Sequence, residues 1–257
     1  EYRNAAQLPA GNVLVVGGAQ SGCQIVSDLL NDRKKVFFST SKVGRIPRWY
    51  RGRDIFYWLI DCGFFDLSEE NVTDPKVFDS RNPQISGTGS GRDTISLQAL
   101  AKKGAVIVGK MNGAGQWIAS FENNAAMHVK FADDFSANLK KIVDDFIDSK
   151  GIAVEEAHYD EADVADKGMN CVSGIASLDL EENNITSIIW AGGFGADFNY
   201  LKLPVFNDAG KLMHKKGVTK VEGLYFLGYP WLRNRKSSIL LGIKEDAEYL
   251  VELISEK

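Results

Sequence analysis

The residues of this chain best suited to chemistry stand together at Gly17-Gly18-Ala19-Gln20-Ser21-Gly22. They follow the apolar run Val13-Leu14-Val15-Val16 and precede a stretch in which Cys23, Ile25, Val26, Leu29 and Leu30 recur at helical spacing. The pattern is G-x-G-x-x-G with Ala19 in the second glycine position. The first glycine permits a tight strand-to-helix turn. A small second residue lets a phosphate approach the backbone, and the third glycine lets the helix pack closely on the strand. N–H groups at the helix start, aided by the helix dipole, then favour an anion. The sequence predicts a dinucleotide cradle here, with a merely structural turn as the alternative. Replacing Gly17 by valine is expected to abolish nucleotide binding with the fold largely kept.

The end of the next apolar run, Lys35-Val36-Phe37-Phe38-Ser39, discriminates between cofactors. An NAD site commonly presents a carboxylate there to the ribose hydroxyls. This chain instead has Ser39, Thr40, Ser41 and Lys42, then Arg45 and Arg48, with no carboxylate before Asp54. Hydroxyls and guanidinium groups suit a 2′-phosphate. One charged hydrogen bond contributes about 1.5–3 kcal/mol, hence roughly 10- to 150-fold preference before discounting for exposure. Arg45 is the first candidate and Arg48 the second, with ordinary loop charges as the bland alternative.

Other chemistry is poorly represented. Cys23, Cys62 and Cys171 form no CxxC pair, and His128, His158 and His214 have no ligand-like spacing, so no metal site is expected. No acid, base or nucleophile can be named. Gly104–Met111 mimics a P-loop, but Met111 replaces the residue that would hold Mg²⁺. Gly87-Thr88-Gly89-Ser90-Gly91 could cradle an anion or serve as a flexible connection. The net charge of −4 and short basic clusters argue against nucleic acid, and no apolar run is long enough for a bilayer. The odd cysteine count and absent leader point to a cytoplasmic setting.

Ala105–Val108 reads as another buried strand, and Ile185–Ala191 as a β-rich apolar strand leading into Gly192-Gly193. Phe135, Leu139, Ile142, Val143, Phe146 and Ile147 share a helix face, with Asp133 or Asp134 expected to cap its start and Gly151 its end. Residues 157–170 read as an acidic loop. Leu224–Leu227 reads as a last strand, and an amphipathic helix is expected from Ser237 onward.

Four stretches carry a resemblance: Val13–Ile25, Val43–Trp49, Ile188–Leu201 and Glu222–Gly242. On them the chain resembles the flavin-containing monooxygenase-like family of FAD- and NADP-dependent oxidoreductases. The resemblance implies an α/β, Rossmann-like flavoprotein with two dinucleotide-binding domains, the NADPH domain inserted in the FAD domain. Residues 9–197 would be the NADP-binding domain; 1–8 and 198–257 would be the C-terminal portion of the FAD domain. Gly192 and Gly193 fall in the segment where such proteins carry a cofactor-binding Thr-Gly pair. Ser237 and Ser238 would lie at the helix N-terminus that faces the flavin, with Tyr229, Trp231 and Arg235 in the preceding loop. The implied reaction passes hydride from NADPH to flavin, after which a hydroperoxyflavin formed with O₂ oxygenates a small organic substrate. A pyridine-nucleotide disulfide reductase-like enzyme and a non-catalytic nucleotide sensor are the alternatives, and a homo-oligomer is left open. No N-terminal FAD-binding turn is present, so the chain is read as the C-terminal part of a larger flavoprotein. Leu224, Phe226, Leu240 and Leu241 are then expected to be exposed.

Overall fold

The computed structural model describes residues 2–78, 82–85 and 94–256. In chain order the elements are β1 (Asn12–Val16), α1 (Gln20–Asn31), β2 (Val36–Ser39), β3 (Trp49–Tyr50), β4 (Arg53–Asp54) and α2 (Ile55–Asp61). They continue with α3 (Leu97–Lys102), β5 (Val106–Val108), β6 (Met111–Gly115), β7 (Ile118–Phe121), α4 (Ala125–Lys150), β8 (Ser177–Asp179), β9 (Ile185–Trp190) and α5 (Leu240–Ser255). Two compact units are formed, one by residues 1–58 with 81–194 and one by residues 59–80 with 195–257.

The first unit is a mixed α/β body around a four-stranded parallel sheet of order β5-β2-β1-β9, consistent with a Rossmann-like fold. Alternation along β1 explains why Val13–Val16 is apolar without a break. Val13 and Val15 join Cys23, Val26 and Leu29 of α1, with Leu100 of α3 and Val129 of α4, in one core. Leu14 points the other way and packs with Phe37, Val108, Ala119, Phe121 and Leu178. The three-stranded antiparallel sheet β6-β7-β8 supplies the last three of these. A strand covered on both faces needs apolar side chains on both.

α4 departs from the sequence reading at its start. It begins at Ala125, after Asn124, so neither Asp133 nor Asp134 caps it. Asp133 is buried in mid-helix, on the face that carries Val129, Ala132, Ser136, Leu139, Val143 and Ile147. A carboxylate tolerates that position only with buried partners, which it has. The C-terminal expectation holds: Gly151 takes the left-handed conformation, φ 60°, that closes the helix.

In the second unit Leu224–Leu227 does not form a strand. Its ladder is a single bridge, Tyr225 to Val218, and the run is bracketed by left-handed Gly223 and Gly228. α5 starts at Leu240, three residues beyond Ser237. Leu240 is 90 % exposed and Leu241 39 %, whereas Leu224 and Phe226 are half-buried. Phe226 sits among the rings of Phe198 and Tyr229. Among the described residues no helix is long and apolar enough to cross a membrane.

Candidate functional site

The glycine turn leaves the carboxyl end of β1, where β2 lies on one side and β9 on the other. In open α/β sheets this strand-order switch is where ligands bind. Backbone meets backbone here. Gly17 has φ 126°, and a Cβ on it would stand 2.4 Å from the Ala191 carbonyl oxygen. A Cβ on Gly18 would lie 2.7 Å from the Ser41 nitrogen, and one on Gly22 only 1.8 Å from the Gly17 oxygen. Gly22 thus lets α1 pack directly on the turn. Ala19 is the N-cap of α1, extended and without a side-chain cap bond. The first N–H groups of a helix have no intrahelical partner, so those of Gln20, Ser21 and Gly22 are suited to hold an anion. The Gln20 side chain is turned aside, its Oε1 accepting the Ile85 N–H at 2.8 Å, and Ser21 is exposed.

The fold brings Gly192 and Gly193 to this point from far along the chain. The Ala191 N–H donates to Val16 O at 2.7 Å, which places the two glycines directly beyond the Gly17 turn. A Cβ on Gly192 would meet nothing within 4 Å, and Gly193 has φ 92°.

The cation and hydroxyl assignments at the end of β2 need correction. Ser39 and Thr40 are each 1 % exposed. The Ser39 hydroxyl donates to Gly109 O and accepts the Met111 N–H, both at 2.9 Å. The Thr40 hydroxyl donates to Val108 O at 2.9 Å, so His128 Nδ1–H, at 3.0 Å, must donate to it. Both hydroxyls join β2 to β5 and α4 and are spent. Only Ser41 remains near the turn, its Oγ accepting the Gly18 N–H at 3.3 Å.

Arg45 is also removed from the 2′-phosphate role. It is 1 % exposed, and its guanidinium lies between Asp133, at 2.7 Å, and Asp163. Burial raises the Asp163 carboxyl, but Arg45 and Lys140 more than offset this and hold it below 3.8. Arg48 is partly exposed and ion-paired with Asp54. Lys42, three residues beyond the end of β2, is exposed, and its Nζ lies 4.6 Å over the Phe131 ring. Its position directly after Ser41 was the available signal, obscured by the stronger phosphate chemistry of arginine. Gln84, buried against the turn, carried no sequence signal. The Gly87–Gly91 loop lies outside the described residues.

In the second unit Ser237 is fully buried, and its Oγ accepts the N–H groups of Arg233 and Asn234 at 3.1 and 3.2 Å. It organises its own loop and is not presented at the start of α5. Ser238 is exposed, one residue before the N-cap Ile239. Trp231 stacks edge-on with Phe78, and Arg235 lies 4.0 Å from the Phe64 ring centroid.

His128 gives the first unit a pH signature. Burial pushes its imidazole below 6.5; Glu122 opposes this and Lys110 and Lys42 reinforce it. The folded state then binds a proton less readily than the unfolded chain. Stability is full above pH 6.5 and is lost as pH falls from there toward the lower folded value. His214, also lowered, has the same sign. Urea midpoints measured across that window should fall less steeply in His128→Gln than in the wild type; identical slopes would remove His128 from the account.

No protein-family model matches the chain. Among curated proteins it is 29% identical over 253 residues to "Uncharacterized oxidoreductase CzcO" of Bacillus velezensis, covering 98% of this chain and 55% of that protein. It is 28% identical over 253 residues to the Bacillus subtilis protein of the same name, with the same coverage. It is 26% identical over 251 residues to "Uncharacterized oxidoreductase CzcO-like" of Geobacillus kaustophilus, covering 97% of this chain and 54% of that one. The chain spans about half the length of the curated relatives it matches.

Proposed function

We propose that this chain is the nicotinamide-dinucleotide-binding part of an oxidoreductase, using NADPH together with FAD in a monooxygenase-type reaction on a small organic substrate. The observation that carries the dinucleotide reading is the turn Gly17–Gly22. It stands at the switch point of the parallel sheet, with backbone contacts that leave no room for a Cβ at Gly17, Gly18 or Gly22 and an open helix start. The name oxidoreductase, carried by the relatives, supports the reaction class. A nicotinamide dinucleotide supplies hydride when bound. The chain's own part is to hold the pyrophosphate on the N–H groups at the start of α1 and to admit it past Gly192.

FAD and the monooxygenase step rest on the sequence resemblance. Ser237, assigned to the flavin, is committed within its loop, so this chain's residues supply no identified step there.

Lys42 is the residue proposed to favour the 2′-phosphate, with Arg48 second. An exposed ion pair is worth up to about 1 kcal/mol, so Lys42→Ala should reduce the NADPH-over-NADH preference by up to about fivefold. Dissociation constants of both nucleotides for the wild type, Lys42→Ala and Arg48→Ala test this. Equal wild-type affinities defeat the NADPH assignment. No binding of either nucleotide defeats the whole reading. A flavin-bound protein that consumes NADPH supports the larger assignment, and nucleotide binding without turnover favours a sensor.

A further inference from the structure

Gln84 belongs to a short strap, residues 82–85, pinned on both sides. Its N–H donates to Gly44 O and its carbonyl accepts the Ile46 N–H, each at 2.8 Å, in the segment that follows β2. On the other side the Ile85 N–H is held by Gln20 of α1. The Gln84 side chain is 2 % exposed, and its Nε2 donates to the carbonyl oxygen of Gly18 and contacts Cys23 Sγ. The Cys23 thiol lies 3.7 Å from the same carbonyl, and burial pushes it up so that it stays protonated. Two donors therefore hold Gly18 C=O toward the protein. Among the described residues the buried Gln84 Oε1 has no hydrogen-bond partner, so the contacts that orient the amide there come from its donor end.

The Gly18 carbonyl and the Ala19 N–H belong to one planar trans peptide, so they point in opposite directions. Drawing the carbonyl inward turns the Ala19 N–H outward, toward the side on which the helix start is open. We propose that Gln84 is a positioning residue for the dinucleotide turn: it fixes the Gly18–Ala19 peptide so that the Ala19 N–H is presented to the pyrophosphate before ligand arrives. The inference rests on the dinucleotide reading of the turn. Ala19 occupies the second glycine position of the pattern, where close backbone approach matters most, and Gln84 sets that approach from 65 residues away in sequence.

The test compares NADPH with adenosine 2′-monophosphate, which shares the adenosine end but lacks a pyrophosphate. Gln84→Leu keeps the buried volume and removes the donor. Gln84→Glu keeps the shape and sets a carboxylate against the Gly18 carbonyl. Losing one preset hydrogen bond should weaken NADPH about tenfold in Gln84→Leu, and at least as much in Gln84→Glu. Adenosine 2′-monophosphate affinity should be kept in both variants, and the thermal midpoint of the ligand-free protein in Gln84→Leu, which buries no charge. Unchanged NADPH affinity in folded Gln84→Leu overturns the proposal. Equal losses for both ligands, or a loss in Gln84→Leu that tracks a fall in its thermal midpoint, also overturn it by showing a structural role alone. A wild type that binds neither ligand overturns the underlying dinucleotide reading instead.

Discussion

Arg45→Ala is expected to destabilise the first unit by about 3–5 kcal/mol, because removing one partner leaves buried charge uncompensated. Arg45 bonds Asp133 through Nε and Nη2, at 3.1 and 2.7 Å, and reaches Asp163 through Nη1 and, at 2.9 Å, the Asp163 carbonyl through Nη2. These contacts tie the segment after β2 to α4 and to the loop around Asp163. The network does not vanish with Arg45. Asp133 keeps the Gln98 amide at 3.0 Å and the Asp166 N–H at 2.9 Å; Asp163 keeps Lys140 at 2.5 Å and Ser136 at 2.8 Å. Neutral hydrogen bonds to Asp133 compensate its charge only in part, so the loss should remain large. Urea unfolding measures it: with a slope of about 1–3 kcal/mol per molar, the midpoint should drop by roughly 1–3 M or more. A wild-type midpoint together with lost NADPH preference would instead return Arg45 to the nucleotide.

Gly17→Val is expected to abolish both cooperative folding and nucleotide binding, rather than binding alone. The φ of 126° is a conformation that a β-branched residue adopts only under strain of order 1–3 kcal/mol. The added Cβ would also meet Ala191 O at 2.4 Å and Gly192 N at 2.9 Å. Both are backbone atoms at the end of β9, so relief requires parting β1 from β9. Gly192→Ala is the matched control: its Cβ meets nothing within 4 Å, so the fold should survive and only binding should change. Circular dichroism and urea unfolding of both variants, alongside NADPH titration, separate the two effects. A Gly17→Val protein with the wild-type urea midpoint would show that the sheet yields more easily than its backbone contacts imply.

Local pattern was enough for elements whose signals are short-range. The strand-turn-helix around Gly17 was legible because turn, strand and helix requirements coincide within twenty residues. The runs at Val36 and Val106 announced buried parallel strands because both their faces must be apolar; the run at Ile185 announced a strand, which the fold places at an edge of the sheet with Thr186, Ile188 and Trp190 exposed. Gly151 announced a helix end because the left-handed position favours glycine. Side-chain destinations were a different matter. Ser39, Thr40 and Arg45 have the right chemistry for a phosphate, but sequence cannot show that their polar groups face inward. Only the tertiary structure supplies Gly109, Val108, His128, Asp133 and Asp163 as their partners, 68 to 118 residues along the chain. Asp133 was misread as a cap for the same reason, since a buried carboxylate is intelligible only with the arginine that neutralises it. Leu224–Leu227 had strand composition but no ladder to join, and ladder hydrogen bonds depend on a partner strand rather than on propensity. Sequence by itself marked the glycine turn that we propose cradles a phosphate. The tertiary structure decided which side chains are left to meet one, because burial and pairing consume polar groups by position in space and not by position in the chain.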